Sequence, residues 1–244
     1  MAQRKRFSPV TPIAISPEDC TPDIKKRIVS DVPFLEDLSD SDILDVMPLF
    51  RERGFVPGET IAPEELCVVG AGLVKIIRSD YDGREIVLDF LRTGEFFGLA
   101  VGSAAEDRAQ AHTAACVFAV NGDAVRRLFL QYPSVTAHML ASTAERVNEL
   151  HRRLQFLSGA DVSSRVIETL SRLAEKTGSA TADGTLLQLP LSREDLGSLC
   201  GVTTESVSRV VSELSRNGYL KTGRRWFTLT PKFADLLDMD HSSR

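Results

Sequence analysis

The run Thr203-Thr204-Glu205-Ser206-Val207-Ser208-Arg209 decides how this chain is read. Thr203 can cap a helix, because its hydroxyl can accept from a first-turn N–H that has no partner inside the helix. Val207, Val210, Val211 and Leu214 then recur at i, i+3, i+4 and i+7 and form one apolar stripe. Glu205, Ser208, Arg209 and Ser212 fall on the opposite face. There a carboxylate can accept from cytosine N4, and a guanidinium can fork onto guanine O6 and N7. Glu205 and Arg209 are one helical turn apart, so both can reach into the same major groove.

The flanking residues extend this reading in both directions. Ser192 and Asp195 have the spacing of a capping box at the start of a preceding helix, with Leu196 and Leu199 on its buried side. Gly201 supplies the tight turn between the two helices. The second helix runs from Thr204 to about Arg216, where Asn217-Gly218 stops it. Tyr219-Leu220-Lys221 and Trp226-Phe227-Thr228-Leu229 bracket Thr222-Gly223-Arg224-Arg225, which reads as a β-hairpin with a basic tip, a wing. An exposed ion pair on an ordinary surface helix would account for Glu205 and Arg209 alone. The succession of capped helix, glycine turn, two-faced helix and basic hairpin argues for DNA binding instead. On this reading Glu205, Ser208 and Arg209 read bases, while Arg193, Thr203, Thr204, Ser212, Lys221, Arg224 and Arg225 meet the DNA backbone.

Length and composition set the frame. The 244 residues suffice for two domains with separate cores, and 43% hydrophobic with 26% charged residues is ordinary for a soluble globular protein. No apolar run is long enough to span a membrane. The basic start Met1-Ala2-Gln3-Arg4-Lys5-Arg6 is followed by no apolar signal core, so a cytoplasmic protein is expected. The net charge of −5 is unevenly spread: Leu191 to Lys232 holds seven basic and four acidic residues, a local +3 that suits phosphate contacts. The four cysteines, Cys20, Cys67, Cys116 and Cys200, form no CxxC pair, and disulfides are not expected in the cytosol. The histidines (His112, His138, His151 and His241) are scattered and no hydrolase, metalloprotease or nucleotide-binding loop motif occurs, so no enzyme and no cofactor is expected.

The N-terminal half has a different texture. Residues 1–24 carry Ser-Pro, Thr-Pro and Ile-Ser-Pro units and read as a flexible arm. A short helix from Ser39 to about Phe50 follows Phe34-Leu35. Short apolar runs broken by glycine come next: Glu59–Ile61, Leu66–Val69, Leu73–Ile77, Glu85–Phe90 and Ala115–Val120. Their spacing predicts a small β-barrel or roll over residues 25–130, with Asp82-Gly83 as a hairpin turn.

Between the halves, Leu140, Thr143, Val147, Leu150, Leu154 and Leu157 alternate by three and four over nearly three heptads, flanked by Glu145, Arg146, Glu149, Arg152 and Arg153. A stripe packed on the chain's own roll would also be apolar, but strict 3-4 spacing favours a partner helix and a homodimer. This seam falls in residues 131–159, and Ser158-Gly159-Ala160 ends it as a hinge. Residues 160–244 then form the DNA-binding domain, opening with a helix from Asp161 to about Lys176.

Ser192 to Leu229 resembles the winged helix-turn-helix of the CRP/FNR superfamily of bacterial transcription regulators. Glu205-Ser206-Val207-Ser208-Arg209 is similar to the Glu-x-x-Ser-Arg pattern of its FNR and FixK branches. Upstream, Gly70, Gly72, Asp82-Gly83-Arg84-Glu85 and Gly94-Glu95-Phe96-Phe97-Gly98 resemble the superfamily's cyclic-nucleotide-binding roll. The resemblance implies an α+β fold with an N-terminal sensory β-roll, a long dimerisation helix and a C-terminal winged helix-turn-helix. It also implies a homodimer on a palindromic TTGA-like site, activating through RNA polymerase or repressing by occlusion.

The candidate effector pocket, Gly98, Leu99, Arg108, Ala109 and His151, departs from the cyclic-AMP-binding pattern. Leu99 stands where a glutamate takes the ribose hydroxyl, and Ala109 where a serine accompanies the phosphate-binding arginine. Leu150 and His151 replace the threonine and serine offered to adenine. Each lost partner of a buried hydroxyl costs on the order of a kcal/mol. Two alternatives remain: a ligand-gated regulator taking a cyclic nucleotide or a haem, with His112 and Cys116 as the nearest haem ligands, and a redox-modulated one acting through Cys200 beside the turn. Only Cys20 lies in the N-terminal segment, so the chain lacks the clustered cysteines of the oxygen-sensing members, and no iron–sulfur cluster is expected.

Overall fold

The structure, a computed structural model, describes residues 9–10, 21–61, 65–98 and 107–241. It divides into two compact units, with the boundary between Arg152 and Arg153.

The first unit is a β-roll of two four-stranded sheets. One has the order β1 (Arg51–Phe55), β8 (Ala115–Val120), β3 (Leu66–Ala71), β6 (Phe96–Phe97). The other has the order β2 (Thr60–Ile61), β7 (Arg108–Ala111), β4 (Val74–Ser79), β5 (Glu85–Leu91). All pairings are antiparallel. β3 and β8 are buried along their whole length, because both faces of their sheet are covered. Cys67, Val69, Val117 and Ala119 point into the roll with Phe55, Ile61 and Leu91. Val68, Cys116, Phe118 and Val120 point the other way, into a second core with Phe34, Phe50, Ile43 and Leu128. That double coverage is why these strands read as continuous apolar runs rather than as alternating ones.

The second core belongs to the helices outside the roll: α1 (Pro22–Ser30), α2 (Asp40–Val46), α3 (Gly122–Gln131) and the start of α4 (Pro133–Gly159). α1 begins at Pro22 with Thr21 as its cap, so residues 22–24, expected in the arm, belong to a helix. α2 stops at Val46, short of Phe50, and a 3-10 turn, Met47–Leu49, follows. Pro48 explains the early stop, since proline has no N–H and its ring crowds the preceding turn. β6 is only two residues long, yet it serves both cores: Phe96 faces the helices and Phe97 the roll interior. Gly72 is required where β3 turns into β4. Its φ is +79°, and a Cβ there would lie 2.2 Å from the Ala114 carbonyl oxygen.

α4 has two distinct faces. Val135 and Met139 are buried against the roll, and further along the same face Arg146 donates to the Phe96 carbonyl at 2.8 Å, its guanidinium 4.9 Å from the Phe96 ring. On the other face Leu140, Val147, Leu150 and Leu154 are 71%, 44%, 53% and 61% exposed.

The second unit contains α5 (Val162–Thr177), the hairpin β9 (Gly178–Thr181) and β10 (Gly184–Leu187), α6 (Arg193–Cys200), α7 (Thr204–Arg216), β11 (Leu220–Gly223), β12 (Trp226–Leu229) and α8 (Ala234–His241). Its four strands form one sheet in the order β11-β12-β10-β9. Val166, Leu170 and Leu173 of α5 are fully buried beneath α6 and α7.

Candidate nucleic-acid interface

Local chemistry places the α6–α7 pair. Ser192 accepts from the Asp195 N–H at 3.0 Å, while the Asp195 carboxylate accepts from the Ser192 N–H at 3.0 Å, a complete capping box. α6 ends at Gly201, whose φ of +62° lets its own N–H and that of Val202 bond back to Ser198 and Gly197. Thr203 caps α7 by accepting from the Ser206 N–H at 3.2 Å. Val207, Val211 and Leu214 are buried, and Glu205, Arg209 and Ser212 are exposed on the other side.

On that open face Arg209 Nη2 lies 3.4 Å from Glu205 Oε1. Both side chains are more than three-quarters exposed, so the pair is worth only a few tenths of a kcal/mol and opens readily for a base edge. Ser208 Oγ donates to the Thr204 carbonyl at 2.8 Å, and Ser212 Oγ donates to the Ser208 carbonyl at 2.7 Å. Their remaining capacity is therefore as acceptors. Thr203 and Thr204 are exposed at the helix N-terminus, where unspent N–H groups favour an anion.

The wing, β11–β12, is paired in register from Leu220↔Leu229 to Gly223↔Trp226, which leaves Arg224-Arg225 as a two-residue turn. The basic residues expected on the DNA backbone divide here. Arg224 is exposed, and among the described residues its side chain has no ion pair or hydrogen bond. Lys221 is held by Asp183 of the β9–β10 turn at 2.6 Å. Arg225 donates to the Pro190 carbonyl, and Arg193 to Thr222 Oγ1. Nothing in the local sequence around Arg193 or Arg225 signals these partners. Asp183-Gly184, a hairpin signal, would have placed an acid beside the wing sheet.

The expected pocket residues are dispersed. Ala109 is buried with its methyl in the roll interior, whereas Arg108 lies on the outer face, 2.9 Å from Glu85 and 3.4 Å from Ser79. Alternation along β7 enforces this split, because successive side chains leave a strand on opposite faces. Gly98 has a φ of +87° at the end of β6, and His151 is exposed on α4. Leu99 lies outside the described residues. His112 packs edge-on to Phe90 at 4.8 Å, while Cys116 sits in the helix-side core. Among the described residues no group of three or more His, Cys, Asp or Glu side chains is placed to hold a metal, and no helix is long and apolar enough to cross a membrane.

Cys200 is fully buried, and its thiol donates to the Arg165 carbonyl at 3.6 Å. Burial pushes its pKa up from an ordinary value near 9 to about 11. Oxidation needs a thiolate and access, and in this buried environment the sulfur is shielded and held as the thiol. Because the folded value is raised, the stability it contributes is complete below about pH 9 and is lost as pH rises towards 11. Peroxide should leave DNA binding unchanged in both the native protein and Cys200→Ser. A loss confined to the native protein in a gel-shift titration would restore the redox role.

Residues 164–233 match the family model for a Crp-like helix-turn-helix domain, and residues 35–132 match that for a cyclic nucleotide-binding domain. The chain is 28% identical over 156 residues to the "cAMP-activated global transcriptional regulator CRP" of Pasteurella multocida, covering 62% of this chain and 74% of that protein. It is 27% identical over 182 residues to the "CRP-like cAMP-activated global transcriptional regulator" of Mycobacterium tuberculosis, covering 72% and 80%. Among solved structures, FixK2 from Bradyrhizobium japonicum superposes with a TM-score of 0.69 at 26% identity, covering 78% of this chain and 96% of that one.

Proposed function

We propose that this chain, a member of the CRP/FNR superfamily of transcription regulators, binds as a homodimer to a palindromic TTGA-like site in double-stranded DNA. The observation that carries the reading is the division of α7: a buried Val207, Val211 and Leu214 stripe fixes the helix, and the exposed Glu205 and Arg209, with the half-buried Ser208 between them, are left to read a C·G and a G·C pair. Thr203 and Thr204 at the helix start, Ser212 along it and Arg224 on the wing meet phosphates. The exposed stripe of Leu140, Val147, Leu150 and Leu154, continued in heptad register by Thr143 and Leu157, supports the homodimer. A two-fold axis along that seam sets two recognition helices in successive major grooves, about 34 Å apart. The protein works in the cytoplasm, without catalytic activity. It represses by occluding a promoter or activates through RNA polymerase.

DNA binding in this reading does not depend on cyclic AMP. The curated relatives are named as cAMP-activated, but here Arg108 is spent on Glu85 outside the roll, and Ala109 offers only a methyl inside it. A gel-shift titration on a TTGA palindrome, run across salt concentrations with and without cyclic AMP, tests both parts. The expected result is a steeply salt-dependent shift that cyclic AMP leaves unchanged. A shift that needs cyclic AMP refutes the second part, and no salt-dependent shift refutes the first.

A further inference from the structure

The wing turn contains a conformation that calls for support. Arg225 has a φ of +62°, and no other described residue except glycine has a positive φ. A side chain is disfavoured in that region, and glycine or asparagine normally fills it. The guanidinium supplies what holds it there: Nε and Nη2 both donate to the Pro190 carbonyl oxygen, each at 3.3 Å. Pro190 lies just ahead of the Ser192 cap of α6, so this fork ties the tip of the wing to the start of the helix-turn-helix.

A second tie runs beside it. Arg193, the first residue of α6, places its guanidinium 4.7 Å from the Phe227 ring. Its Nη2 donates to Thr222 Oγ1 at 3.2 Å, and that hydroxyl donates to the Trp226 carbonyl at 2.9 Å. Arg193 Nη1 is buried and without a hydrogen-bond partner among the described residues. Both ends of the wing turn are thus held by arginines rooted in, or reaching back to, α6.

We infer that Arg193 and Arg225 are positioning residues that lock the wing onto α6, and that Arg224 is the wing's phosphate contact. The inference rests on the DNA-binding reading and reassigns two arginines that the sequence alone places on the DNA backbone. The donors that fork from Arg225 onto the Pro190 carbonyl, and the one that Arg193 gives to Thr222, would release the wing if they were turned to DNA. Arg224, at the first position of the turn, has made no such commitment.

Trp226, the only tryptophan, reports on the lock without DNA. Its indole lies so close over Gly223 that a Cβ there would stand 2.3 Å from Nε1. In the DNA-free protein, Arg225→Gly and Arg193→Met should each raise acrylamide quenching of Trp226 by about two-fold, as a segment released into local opening does. Arg225→Lys, which keeps one donor, should recover most of the protection, and Arg224→Ala should match the native protein. On DNA, Arg224→Ala should lower the slope of log affinity against log salt by about 1.8, one phosphate's worth from each wing of the dimer, and Arg225→Gly added to it should lower the slope no further. Native quenching in both Arg225→Gly and Arg193→Met, or a further slope loss of about 1.8 in the double variant, overturns the inference. If the native protein shows no salt-dependent binding, the DNA reading fails, while the quenching series still decides whether the wing is locked.

Discussion

Replacing Arg209 with alanine is expected to cost about 1–3 kcal/mol per half-site on a palindromic TTGA-like probe, a loss of about 5- to 150-fold for each half-site and the square of that for the dimer at fixed salt. The guanidinium is 76% exposed and, among the described residues, pairs with the exposed Glu205, so unfolding should change by less than about 0.5 kcal/mol on its removal. The loss should also be specific to one base. On a probe whose matching guanine is replaced, the native protein and Arg209→Ala should bind alike, because the forked contact to O6 and N7 is already gone. Fluorescence anisotropy on the two probes separates these outcomes. Equal affinity of the variant and the native protein on the intact palindrome would remove Arg209 from base readout.

A charge placed in the α4 stripe should have a larger effect. Leu150 and Leu154 are more than half exposed in the single chain, so Leu150→Asp or Leu154→Arg disturbs no internal packing. In a packed seam the same charge would have to be stripped of water opposite its own copy, which costs several kcal/mol. Light scattering should therefore show a single-chain mass for either variant. With one half-site reader per particle, affinity should fall from the 10⁻⁸–10⁻¹¹ M usual for specific sites towards about 10⁻⁴–10⁻⁶ M, the range of non-specific binding. A variant that remains dimeric would place the interface elsewhere.

The DNA-binding unit was legible in the sequence because its signals are local. Ser192 with Asp195, Gly201, Thr203 and the Val207–Leu214 stripe each act within a turn or two of themselves, and α6 and α7 begin and end where those residues direct. The wing arginines were not legible in the same way. Arg225 finds its partner 35 residues upstream and Arg193 its partner 29 residues downstream, through a sheet register that no local pattern encodes. Arg108 is an intermediate case. The alternation Arg108-Ala109-Gln110-Ala111 already implied that arginine and alanine leave the strand on opposite faces, but a four-residue strand is too short to stand out. β6, two residues long, lay within the glycine-bounded Gly94–Gly98 motif, where turn residues outnumber strand residues. The double-covered strands β3 and β8 were found as runs, but which face met helices became readable only once α1 and α3 were in place.

Phe96 and Phe97 are neighbours on β6, so a single peptide unit links the two cores. On the far side of the sheet Phe96 meets Phe34 edge-on at 5.1 Å and carries the carbonyl that Arg146 of α4 grips. One peptide unit thus separates the side chains of the roll interior from the contacts that hold the helix bearing the exposed leucine stripe.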